Sequence, residues 1–128
     1  MSKNNMININ SKADYISIAF TGNLEYGLID ELKEELHAIS LEPKHGYIID
    51  MQNVTNIDST GFGMIINFAK KVMIAERKIA IIVTDEFIRK LFAISQCDKV
   101  FPIAKSELQA QQMIKEKSWS GELALSEY

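Results

Sequence analysis

The sequence predicts an α/β domain built on a mostly parallel, mixed sheet of about five strands with about four helices. Three observations carry this expectation. Strand-sized apolar runs alternate with amphipathic helical segments in the order β-β-α-β-α-β-α-β-α, which implies parallel strands joined by right-handed crossovers. Two strand-like segments open the chain back to back, so one edge of the sheet is antiparallel or mixed. The 128 residues are 47% hydrophobic and 24% charged, which suits a single domain able to bury a core without covalent staples.

Met6 to Asn10 reads as a weak first strand. Tyr15 to Thr21 alternates Tyr15, Ser17 and Ala19 against Ile16, Ile18 and Phe20, the period of a half-buried strand. Gly22-Asn23 is expected to break it. From Tyr26 to Ile39 the apolar residues Leu28, Ile29, Leu32, Leu36 and Ile39 recur at helical spacing. Pro43 and Gly46 then mark a turn. Tyr47 to Met51 is a short apolar run, read as a buried strand, and Gln52 to Asp58 as a polar loop. From Ser59 or Thr60 to about Ala75, Phe62, Ile65, Ile66, Ala69, Val72 and Met73 form a broad apolar helix face. Lys78 to Val83 is another buried strand. Asp85 is placed to cap a helix carrying Phe87, Ile88, Leu91 and Phe92. Val100 to Ile103 is a short strand whose Pro102 points to an edge. Ser106 and Gln109 make a capping box for a last helix to about Lys117. The phenylalanines and methionines at helical spacing are assigned to the core. Residues 1–117 are read as the domain and 118–128, with Trp119 and Tyr128, as a C-terminal tail.

Composition narrows the function. The net charge of −3 comes with no Lys/Arg cluster, so no nucleic-acid partner is expected. The segment MSKNNMININ has no apolar stretch of secretory type, and no apolar run is long enough to span a bilayer. The expectation is a cytoplasmic chain with no direct membrane insertion. The single cysteine, Cys97, cannot form an internal disulfide and suits a reducing compartment. His37 and His45 stand far apart with no Cys or carboxylate at ligand spacing, so no metal is expected. Gly-x-Gly-x-x-Gly, the Walker loop and Gly-x-Ser-x-Gly are all missing. We therefore expect no cofactor, no catalytic residue and no enzymatic activity.

The informative stretch runs from Tyr47 to Met64. A buried strand ends at Asp50-Met51, and a loop leads to Asp58-Ser59-Thr60-Gly61, where an amphipathic helix begins. A hydroxyl at a helix N-terminus is open to a kinase, and a phosphate there faces the positive end of the helix dipole. Ser59 and Thr60 can also serve simply as caps, and Asp58 and Asp50 as loop or turn residues. Gly61 and Gly63 are expected to leave room for a partner's backbone. Lys70-Lys71 reads as a solvated helix face that a partner's carboxylates could also use.

Ile57-Asp-Ser-Thr-Gly-Phe-Gly63 resembles the phosphorylation-loop signature of STAS-domain anti-sigma-factor antagonists. Thr21-Gly-Asn-Leu-Glu25 is similar to that family's turn after the second strand. Ile48-Ile-Asp50 is similar to its third strand, and Ile88 to Ser95 to its third helix. The resemblance covers roughly Ile7 to Met113. It implies the STAS fold and places the phosphoacceptor on Ser59, with Thr60 as runner-up. It groups Asn23, Glu25, Asp50, Asp58, Ser59, Thr60, Gly61, Phe62 and Gly63 as the partner-binding surface. It further implies that the unphosphorylated protein binds a serine-kinase anti-sigma factor, that ATP-dependent phosphorylation releases it, and that a metal-dependent serine phosphatase resets the switch. Two other classes stay open. One is a non-switching STAS subunit of a membrane-associated transport or lipid-trafficking complex. The other is a small α/β enzyme.

Overall fold

The computed structural model describes residues 6–27, 29–40 and 44–115. Leu28, Pro43 and the tail 118–128 lie outside the described residues. The elements are β1 (Ile7–Ser11), β2 (Tyr15–Leu24), α1 (Ile29–Ser40), β3 (Gly46–Ile57), α2 (Ser59–Ile74), β4 (Lys78–Ile82), α3 (Glu86–Ile94), β5 (Ile103–Ala104) and α4 (Glu107–Lys115), with a 3-10 turn at Cys97–Lys99. The strands lie side by side in the order β1-β2-β3-β4-β5. β1 is antiparallel to β2, and every other pairing is parallel. The expected element order and the mixed edge are both present.

Strand alternation sorts the core into two layers. Ile16, Ile18 and Phe20 of β2, Tyr47, Ile49 and Met51 of β3, and Ile79 and Ile81 of β4 point to one face, under α1, α2 and α3. Ile48, Ala80, Ile82 and Ala104 point to the other, against Ala110 and Ile114 of α4. Asp85 caps α3 by accepting from the Ile88 N–H at 3.0 Å. Ser106 Oγ accepts from the Gln109 N–H at 3.1 Å, while Gln109 Oε1 reaches back to the Lys105 N–H at 2.7 Å. The reciprocal box thus closes one residue earlier than the sequence suggests.

Tyr47 ties the lower end of α1 to the segment after α2. Its ring is fully buried, edge-on to Phe68 at 5.7 Å. Its hydroxyl donates to the Ile39 carbonyl at 3.3 Å and accepts from Arg77 Nη1 at 2.8 Å. Tyr47→Phe keeps the packing and removes both bonds, so it should lower the unfolding free energy by about 1–2 kcal/mol. Urea titration checks this, and an unshifted midpoint would show that the two bonds contribute nothing.

The largest departure from the sequence reading concerns β2 and β3. Gly22-Asn23 does not break β2, and Gln52 to Ile57 is not a loop. Both strands continue as a two-stranded ledge beyond the sheet. Between Ala19/Asp50 and Thr21/Asn53, and again between Gly22/Val54 and Asn23/Asn56, β3 advances one residue more than β2. Two bulges therefore break the period of two, so that Met51, Val54 and Ile57 are buried with exposed pairs between them. Gly22 takes φ 87°, a left-handed value suited to glycine. Ile57 lies seven residues beyond Asp50, the last β3 residue paired with β4.

Smaller differences are local. α1 starts at Ile29, because Tyr26 and Gly27 turn the chain first. Gly46 opens β3 instead of belonging to the preceding turn. The last strand is only Ile103–Ala104, at the sheet edge, and Val100 closes the 3-10 turn. Phe87 is not core: it is 61% exposed on the first turn of α3.

Candidate functional site

The ledge carries the site. At its tip the chain turns from β3 into α2 at Asp58, which is extended at φ −109° and ψ −176° and is the N-cap. One carboxylate oxygen accepts from the Gly61 N–H at 2.9 Å, and the other from the Tyr26 N–H at 2.8 Å. The Asp58 N–H in turn donates to the Leu24 carbonyl at 3.2 Å. One residue thereby joins the end of β2, the turn before α1 and the first turn of α2.

These contacts hold the carboxyl of Asp58 below its ordinary value of 3.8, chiefly through the Tyr26 N–H and then the Gly61 N–H, against a smaller opposing effect of burial. A carboxylate whose folded pKa is depressed stabilises fully above its unfolded value and loses that contribution as pH falls through the folded one. Asp58→Asn keeps one acceptor where two are used. Its melting temperature should fall below wild type at neutral pH, and the gap should close below pH 3.8. Calorimetry across pH checks this, and a gap that persists into strong acid would exclude the charge as its source.

Because Asp58 does the capping, Ser59 and Thr60 do not. Ser59 is the first residue of α2 and is exposed, whereas Thr60 is half-buried. The first turn of α2 carries no acidic residue of its own. The negative charge at that end of the helix dipole is the N-cap carboxylate of Asp58.

Gly61 corrects the expectation that it makes room for a partner. It is buried, and a Cβ there would sit 2.0 Å from the Leu24 carbonyl oxygen. The space it preserves is for the chain's own β2. Gly63 has nothing within 4 Å of its Cβ position. Phe62 packs inward, edge-on to Phe92 at 5.0 Å, and joins α2 to α3.

Among the other sequence-predicted residues, Asn23 and Glu25 come to the same end of the molecule. Asn23 Oδ1 accepts from Thr55 Oγ1 at 3.1 Å and from Asn56 Nδ2 at 3.0 Å, bracing the two strands of the ledge. Asp50 does not join them. It lies nine positions upstream of Ser59, seven of them along β3, roughly 20 Å at the rise of a strand, and its carboxylate accepts from the Gln52 N–H and Nε2.

The family pattern of the STAS domain matches residues 6–110. The chain belongs to the STAS domain family. An anti-sigma-B factor antagonist of Staphylococcus epidermidis is 28% identical to this STAS domain over 82 residues, covering 64% of this chain and 76% of that protein. An anti-sigma factor antagonist from Mycobacterium paratuberculosis superposes with a TM-score of 0.80 at 14% identity, over 86% of this chain and 93% of that one. The Bacillus cell fate determinant SpoIIAA, in its phosphorylated form, superposes with a TM-score of 0.68 at 14% identity, over 85% and 99%. At these identities the structural likeness shows a shared fold.

Sequence reasoning missed Tyr26. Its backbone is pinned by Asp58, and its side chain is 82% exposed beside the start of α2. An aromatic residue before a glycine carries no local signal for such a contact, which spans 32 residues. Among the described residues, no helix of this STAS domain is long and apolar enough to cross a membrane.

Proposed function

We propose that this chain is an anti-sigma-factor antagonist, a phosphorylation-controlled binding module and not a catalyst. Unphosphorylated, it binds a serine-kinase anti-sigma factor through the tip of the ledge. Phosphorylation of Ser59 ends that binding, and a metal-dependent serine phosphatase restores it. The observation that carries the reading is the division of labour at the start of α2: Asp58 caps the helix, leaving the adjacent Ser59 exposed. The serine oxygen would attack the γ-phosphorus of ATP in the kinase's active site. Its proton would pass to a base of the kinase, and ADP would leave.

The phosphate brings about −1.5 to −2 charges. The helix dipole offsets part of this within the folded chain. A partner covering the same spot has no such compensation, and Asp58, held ionised, adds to the repulsion. Relatives named as anti-sigma factor antagonists support this reading, as does a structural neighbour whose phosphorylated form is known.

The test is a pull-down from native cytoplasm with wild-type and Ser59→Asp chains as bait, read by mass spectrometry. The reading expects an ATP-binding serine kinase captured by the wild type alone. Two baits that bring down the same set of proteins would overturn the switch. If that shared set were subunits of a membrane-associated complex, Ser59 would be a docking residue.

A further inference from the structure

Away from the ledge, α1 and α2 enclose a groove of about 430 Å³. Its floor is Leu36, Met64 and Phe68, and its rim carries Lys33, Lys70 and Lys71. At its lower end stands Ile74, 82% exposed although it is a large aliphatic residue. α2 contains no Asp or Glu over its 16 residues. The carboxylates of α1 (Asp30, Glu31, Glu34 and Glu35) are not among the side chains that line the groove. A chain of net charge −3 thus gathers positive charge around an apolar floor on one face.

We infer that this groove is a second docking surface, for an acidic amphipathic helix of a partner protein. The size is that of a site for a few side chains of one helix face. Leucines spaced three and four apart would lie on Leu36, Phe68 and Ile74, while glutamates on the flanks would meet the lysines. Complementary charge of this kind sets orientation and speeds encounter. A bilayer fits less well, because the surface is concave. The groove begins more than a turn below Ser59, so docking there needs neither the hydroxyl nor its kinase.

The probe is a synthetic helical peptide with leucines on one face and glutamates on the others, beside a control in which lysines replace the glutamates. Both are titrated into the isotopically labelled protein and followed by amide NMR shifts. The glutamate peptide should shift Lys33, Lys70, Lys71 and Ile74, bind more weakly as salt rises, and lose affinity on the order of tenfold or more in a Lys70→Glu, Lys71→Glu double variant. Ile74→Ser should weaken it while leaving the salt dependence intact. All these positions are on the surface, and thermal melts confirm that the variants fold. Equal binding of the two peptides, shifts confined to other faces, or no binding at millimolar peptide would overturn the proposal. So would anionic phospholipid vesicles that shift the same amides, or a dimer in sedimentation that Ile74→Ser dissociates.

Discussion

Ser59→Asp should leave the fold intact and weaken partner binding on the order of 100-fold or more, because an uncompensated charge at a buried contact costs about 3–5 kcal/mol, and each 1.4 kcal/mol is tenfold. The two halves of this expectation come from the same geometry. In the isolated chain the new carboxylate meets the helix dipole, which favours it, and the neighbouring Asp58 carboxylate, which opposes it. The cap is untouched, since Asp58 supplies it. Melting temperature should therefore stay near wild type, while affinity falls. Ser59→Ala should bind as wild type does and take up no phosphate; phosphate in that variant would move the acceptor to Thr60. Isothermal titration against the captured partner, with melts in parallel, separates these outcomes. A Ser59→Asp chain that binds with wild-type affinity would end the case for Ser59 as the switch.

Gly61→Ala should destabilise the chain by about 3 kcal/mol, the upper part of the range for forced overpacking. The added methyl would fall 2.0 Å from the Leu24 carbonyl oxygen and 2.8 Å from its carbon. These are backbone atoms on a paired strand, and a strand cannot turn aside as a flexible side chain can. The first turn of α2 would have to lift from β2, breaking the Asp58 to Leu24 bond or the Asp58 to Gly61 bond with it. Gly63→Ala, two residues further along the helix, meets nothing within 4 Å and should stabilise by about 0.5–1 kcal/mol, as alanine does over glycine inside a helix. Denaturant unfolding of the pair is decisive. Equal stabilities would mean that helix and strand are not in fixed contact there.

Much of the fold is legible in the sequence because its strands obey a period of two and its helices a period near 3.6. Ile16, Ile18 and Phe20 against Tyr15, Ser17 and Ala19 announce a half-buried strand. Asp85 and Ser106 announce two helix starts. The ledge is hidden because its bulges convert the period of β3 to three, and Gln-Asn and Thr-Asn pairs with a buried residue between them read as loop. The candidate site is half legible. Ile57 to Gly63 is visible as a motif, and the exposed Ser59 follows from it. The bond from Tyr26 to Asp58, and the contact of Gly61 with Leu24, depend on bringing residues more than 30 positions apart together. No local pattern encodes such a meeting. Phe87 was assigned inward because helical spacing alone does not say where a helix overhangs its sheet.

The ledge also bears on how a kinase could reach its substrate. An enzyme must draw the serine into a cleft, which a rigid first turn resists. Here that turn leans on a two-stranded ribbon instead of the five-stranded body. Opening it breaks a handful of bonds around Asp58 and leaves the ladder from β2 through β5 closed. Local fraying of this kind costs far less than global unfolding. Under the proposed switch, the architecture that exposes Ser59 would also lend it briefly to an active site, with the rest of the molecule as an undisturbed anchor.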